Sequence, residues 1–179
     1  RPMIELAGQT LAIVGSGAIG SAVARIADGF AMRVLRCAVP GSSTPGRVPL
    51  AEALPVADAV TLHCPLTPST TRLVDARFLT AMKSGAVLIN TGRGGLIDEA
   101  ALLTALRDGH LGAACLDVLS AEPPAADHPL LKPGAPWAAR LSVTPHIGWA
   151  TVEARTRLVA EVADNVRAFQ TGNRRNRVD

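Results

Sequence analysis

Thr10-Leu11-Ala12-Ile13-Val14-Gly15-Ser16-Gly17-Ala18-Ile19-Gly20 is the stretch on which the reading turns. Its first half is a short apolar run of the kind that forms a buried strand. After Gly20 the apolar residues Ala22, Val23, Ile26 and Ala27 recur with Ile19 at helical spacing until Gly29. The glycines Gly15, Gly17 and Gly20 therefore join a strand to a helix as G-x-G-x-x-G. Alone that pattern is weak, and a tight strand-helix turn without ligand is its plain alternative. In this position each glycine has a task. The first allows the turn, the second lets backbone approach a pyrophosphate at the helix N-terminus, and the third lets helix and strand pack closely.

Outward from this unit the chain keeps alternating. Met32–Cys37, Ala57–His63, Ala86–Asn90, Gly112–Asp117 and Leu141–Thr144 read as further strands. Between them, residues 40–49 carry Pro40, Gly41, Ser42, Ser43, Pro45, Gly46 and Pro49, which is loop chemistry. Asp75 and Asp98 stand where they would cap helices carrying Phe78, Leu79 and Met82, and Leu102, Leu103 and Leu106. A last helix, about 150–170, aligns Val152, Val159 and Val166 with Leu158, Val162 and Phe169. Short strands alternating with helices predict an α/β fold: a doubly wound, mostly parallel Rossmann-type sheet in three layers, with one domain over residues 1–172.

Composition narrows the function. The 179 residues are 48% hydrophobic and 18% charged, enough for a packed core. No apolar run approaches the roughly 20 residues of a membrane span. The net charge of +3 arises from Arg167, Arg174, Arg175 and Arg177 against Asp179, which reads as a solvated end. With aromatics at 3%, nucleic acid is not an expected partner. Cys37, Cys64 and Cys115 are far apart and lack metal-ligand spacing, so no metal is expected and a reducing, cytoplasmic setting fits. The chain opens at Arg1-Pro2-Met3 with no signal-peptide pattern, which suggests a fragment or a processed chain.

One element of the dinucleotide pattern is absent. An acidic residue should end the second strand and hold the adenosine ribose, but that position falls near Ala38, and no Asp or Glu stands between Asp28 and Glu52. Loss of the carboxylate removes the repulsion that excludes a 2′-phosphate, and Arg36 or Arg47 could supply positive charge. NAD and NADP both stay open.

Arg93, Asp117, Glu122 and His146 all follow predicted strands, on the edge where open parallel sheets bind ligands. Taken singly each has an ordinary alternative: a surface Arg between glycines, a loop-capping Asp, a solvated Glu before prolines, a His satisfied by backbone. His63, His110 and His128 have no comparable setting and are given no role.

The segments Gly15–Gly20, His63–Thr70, Asn90–Asp98, Asp117–Pro123 and Thr144–Thr151, in this order, resemble the nucleotide-binding domain of the D-isomer-specific 2-hydroxyacid dehydrogenases. The resemblance implies an oxidoreductase that moves a hydride between NAD or NADP and the 2-position of a small D-2-hydroxy or 2-keto acid. Arg93, Glu122 and His146 fall on the family's catalytic set. Arg93 would grip the substrate carboxylate, His146 would exchange the proton, and Glu122 would support the imidazole. Implied cofactor contacts are Gly15, Gly17, Ala18, Ile19, Gly20, Cys64, Pro65, Thr91, Gly92, Arg93, Asp117, His146 and Gly148, with Asp117 on the nicotinamide carboxamide. His146-Ile147-Gly148-Trp149 leans toward the glyoxylate and hydroxypyruvate reductases.

Family members carry a second, substrate-binding domain. The resemblance makes residues 173–179 a stub of the return to it, and this chain alone a poor catalyst. It also implies a homodimer. A non-catalytic nucleotide-binding module of co-repressor type and an inactive isolated domain are the alternatives.

Overall fold

Every side chain of β1 (Thr10–Val14) is buried, as a strand must be when both its faces are covered. Its alternation sorts the core. Leu11 and Ile13 join Ala24 and Ala27 of α1 (Ala18–Gly29), while Ala12 and Val14 belong to a larger cluster on the opposite face. A computed structural model describes residues 3–42 and 44–177. Arg1, Pro2, Ser43, Val178 and Asp179, and with them the first residues of the chain, one loop residue and the end of the expected stub, lie outside the described residues.

The remaining strands are β2 (Arg33–Cys37), β3 (Ala59–Leu62), β4 (Val87–Asn90), β5 (Ala113–Leu116) and β6 (Leu141–Val143). All pair in parallel in the order β2-β1-β3-β4-β5-β6. The chain leaves β1 toward β2 and returns to β1's other side for β3. A crevice therefore opens at the carboxyl ends of β1 and β3, where doubly wound sheets bind ligands. The large cluster is built from alternate residues of the strands, among them Val60, Leu62, Leu88, Ala114 and Leu116. Against them pack α2 (Leu50–Ala53), α3 (Ala76–Ala81) and α4 (Glu99–Arg107), through Ala53, Phe78, Leu79, Leu102 and Leu106. The expected caps are made. Asp75 accepts from Phe78 N at 2.8 Å, and Asp98 from Ala100 N and Ala101 N at 3.1 and 3.2 Å.

The chain divides into two compact units, Arg1–Pro145 and His146–Asp179. The second unit is α5 (Val152–Gln170) with its flanks. Thr151 caps it through Ala154 N at 3.2 Å. The apolar stripe is present on this helix, with Val152 73% and Phe169 85% exposed. The tail is more than a solvated end. Arg175 reaches both carboxylate oxygens of Glu161 at 2.9 Å, and Asn176 bonds Glu161 and Asn165.

Among the described residues no helix is long and apolar enough to cross a membrane, and no group of three His, Cys, Asp or Glu side chains could hold a metal ion.

Candidate active site

The glycine loop leaves β1 with Gly15 at φ +100°, a conformation that a side chain would strain. A Cβ there would also lie 2.5 Å from the Cys64 amide nitrogen, and one on Gly20 only 2.0 Å from the Gly15 carbonyl oxygen. The loop is thus pressed between the segment after β3 and the first turn of α1. Over Gly17 no atom stands within 4 Å of an added Cβ, so the loop's outer side is open. Gly17 begins α1 without a side-chain cap, which leaves the first amide N–H groups for an anion.

That open side faces a cavity of about 580 Å³ formed by the loops after β1, β2 and β3. Ser16, Cys37, Ala38, Arg47, His63 and Cys64 are among its lining residues, and among the described residues no carboxylate lines it. The Ser16 hydroxyl is buried and has no hydrogen-bond partner among the described residues. A buried hydroxyl without a partner costs free energy, and one beside a glycine loop is suited to a phosphate oxygen. Burial holds the His63 imidazole below its usual range, and its Nε2 sits 3.0 Å from Thr61 Oγ1. Burial likewise pushes the Cys37 thiol up to about 11, against a weaker opposing bond with the Ile13 backbone. Pro65 lines the same cavity, whereas Ala18 and Ile19 follow on the exposed first turn of α1.

A second group stands at the ends of β4 and β5. Asn90 is fully buried. Its amide nitrogen donates to the Arg93 carbonyl at 2.9 Å, and its amide oxygen accepts from Gly92 N at 3.0 Å. This clamp shapes the turn through Thr91 and Gly92 and delivers Arg93, an exposed side chain that donates to the Gly92 carbonyl at 2.8 Å. Asp117 is buried, takes a backbone bond to the Asn90 carbonyl at 2.9 Å, and accepts from the Thr144 hydroxyl. Glu122 folds back so that Oε1 accepts from Leu119 N at 3.0 Å. The first unit therefore holds Arg93, Asp117 and Glu122 on adjoining loops at one sheet edge.

Glu99, at the start of α4, accepts from Ser120 N and Oγ at 2.8 and 2.7 Å, and its Oε2 lies 3.2 Å from His128 Nε2. It anchors the loop that carries Glu122. Sequence reading gave His63 and His128 no role, yet one lines the cavity and the other braces this loop. His110 stays structural, bonded to the Met82 carbonyl at 3.1 Å. Ser16 and Asn90 were also missed. Ser16 occupies a free position of the glycine motif, and Asn90 reads as an ordinary strand end.

The second unit opens with His146 at φ +54°, an uncommon conformation for a non-glycine residue. Gly148 and Trp149, the latter 56% exposed, follow in the turn before Thr151.

Residues 1–148 match the family described as D-isomer specific 2-hydroxyacid dehydrogenase, NAD binding domain. The chain belongs to this family. It is 44% identical over 178 residues to a glycerate dehydrogenase of Methylorubrum extorquens, covering 99% of this chain and 55% of that one. A hydroxypyruvate reductase of Blautia hydrogenotrophica is 39% identical over 179 residues, covering 96% and 53%. The NAD-complexed D-isomer specific 2-hydroxyacid dehydrogenase of Lactobacillus delbrueckii superposes with a TM-score of 0.82 at 30% identity, covering 97% of this chain and 56% of that one. The chain spans about half the length of the curated relatives it matches. The open glycine loop, the uncapped helix end and the unpartnered Ser16 hydroxyl fit the pyrophosphate of a nicotinamide dinucleotide.

Proposed function

We propose that this chain is the cofactor-binding half of an oxidoreductase that interconverts a small D-2-hydroxy acid and its 2-keto acid. The lean is toward glyoxylate or hydroxypyruvate as the keto acid. The observation that carries the reading is the glycine-loop cavity, with its buried, unpartnered Ser16 hydroxyl, on the sheet edge that also presents Asp117 and Arg93. The bound nicotinamide supplies the hydride chemistry. The chain's residues do the rest. Gly15, Gly17, Ala18, Ile19 and Gly20 hold the pyrophosphate with Cys64 and Pro65 beside them. Asp117 orients the carboxamide, with Thr91, Gly92 and Gly148 as backbone contacts. Arg93 forks onto the substrate carboxylate, His146 exchanges a proton with the 2-oxygen, and Glu122 supports the charged imidazole.

Residues 1–172 act as the nucleotide domain in this reading, and 173–179 lead toward the substrate domain. The working form is a homodimer in a reducing, cytoplasmic compartment, where Cys37, Cys64 and Cys115 stay thiols.

The test is reduction of hydroxypyruvate and glyoxylate by the whole protein that carries this sequence. His146→Ala and Arg93→Ala should each lower kcat/KM by about a thousandfold or more. Undiminished turnover in either variant overturns the assignment. Sedimentation of the same protein as a monomer at micromolar concentration overturns the dimer.

A further inference from the structure

We propose that the cavity beside the glycine loop selects the dinucleotide that carries a 2′-phosphate, and that Arg47 is the residue that selects it. The inference rests on the reading of this cavity as a nicotinamide-dinucleotide site, and it commits where the sequence left two candidate arginines and two cofactors.

The observations concern how Arg47 is held. Beyond β2 the chain makes a loop and comes back. Ala38 N donates to the Val48 carbonyl and Val48 N to the Arg36 carbonyl, each at 2.9 Å, which lays Val48 parallel to Cys37 as a one-residue bridge. Arg47 precedes that bridge. The parallel register sets its backbone beside Arg36 at the end of β2, and Arg47 lines the cavity together with Ala38, the position where a ribose-binding carboxylate would stand. The loop is pinned a second time at its other side, where Ser69 Oγ donates to the Pro40 carbonyl at 3.1 Å.

Arg47 lines the cavity and Arg36 does not. Among the described residues the cavity wall has no Asp or Glu and Arg47 forms no ion pair. Ser42 and Thr44 stand on the same wall with their hydroxyls hydrogen-bonded at 2.9 Å, so one O–H is spent on the other and one further donor is left for a ligand. A fixed cation, one hydroxyl donor and no carboxylate suit a phosphate monoester at the 2′-position. Among the described residues the same wall offers no carboxylate to accept from both the 2′- and 3′-hydroxyls of the unphosphorylated cofactor.

The chain is titrated with NADPH and with NADH at low ionic strength, following nicotinamide fluorescence. 2′,5′-ADP and 5′-AMP serve as competitors that lack the nicotinamide. The expected result is NADPH tighter than NADH by about tenfold or more, with 2′,5′-ADP the stronger competitor. Arg47→Ala should weaken NADPH and 2′,5′-ADP by about tenfold and leave NADH within about twofold, while Arg47→Lys recovers part of the loss. Ala38→Asp should reverse the preference.

NADH binding as tightly as NADPH overturns the selection by the 2′-phosphate and leaves the proposed function standing. An equal loss of both cofactors in Arg47→Ala overturns Arg47 as the selecting residue. Absence of binding by either cofactor overturns the dinucleotide reading and this inference together.

Discussion

Gly94 lies directly beneath Leu119: a Cβ built on the glycine would fall 2.0 Å from both the carbonyl carbon and the carbonyl oxygen of Leu119. The loop bearing Arg93 and the loop bearing Glu122 are thus in backbone contact, with no room for a side chain between them. Gly94→Ala must push them apart. The expected cost is about 3 kcal/mol, at the upper end of overpacking because backbone, not a flexible side chain, stands in the way. Urea unfolding measures it, and a stability unchanged from wild type would refute the contact.

Ser16→Ala separates binding from folding. The hydroxyl is buried with no partner among the described residues, so removing it should leave the unliganded chain as stable as before, or more stable by up to about 1 kcal/mol. The affinity for a nicotinamide dinucleotide should nevertheless fall by about fivefold or more, because a phosphate contact is lost. Thermal melting with and without dinucleotide reads both effects.

His63 makes stability depend on pH. Burial lowers its pKa, so between the folded value and about 6.5 the unfolded chain binds the extra proton. Its contribution is complete above that unfolded value and is lost as the pH falls toward the folded one. The pH-stability curve of wild type should drop between pH 7 and pH 5 more steeply than that of His63→Gln. Superimposable curves would rule this out. His128 with its Glu99 partner is common to both proteins and cancels in the comparison.

Glu99→Ala should loosen the loop that carries Glu122 before it unfolds anything else. The carboxylate, 18% exposed, takes two bonds from Ser120 and faces His128. Losing them hands the exposed Ser120 donors to water, at a cost of about 1 kcal/mol. Limited proteolysis should cut within residues 119–131 faster than in wild type, and cleavage elsewhere first would contradict the bracing role.

The layout of the sheet was open to reading because each strand is an apolar run between turn residues, and the glycine loop lies between the first run and the first helix. The strands observed are shorter at their ends than the apolar runs. Ala57 and Asp58 precede β3, which starts at Ala59, and His63 follows its end at Leu62. Leu50–Ala53 between Pro49 and Pro55 is too short to show a helical period, and α2 went unseen. Contacts across the chain leave no local trace at all. Glu99 meets His128 at 29 residues' separation, and the Cys37–Val48 bridge is a single pair without periodicity. The stripe on α5 marks a limit of another kind. Spacing tells which side chains share a face, and the exposed Val159 and Phe169 show that it does not tell what lies against that face.

The return of residue 48 to the end of β2, in parallel beside Cys37, makes the intervening loop an insert closed by main-chain bonds. Main-chain bonds are indifferent to side-chain identity, so the insert can be rewritten in descent without reshaping the frame that holds it. Arg93, Asp117 and Glu122 sit on other loops, at the ends of β4 and β5. A lineage can therefore change which of its reducing currencies the protein draws on while inheriting the chemistry at those strand ends intact.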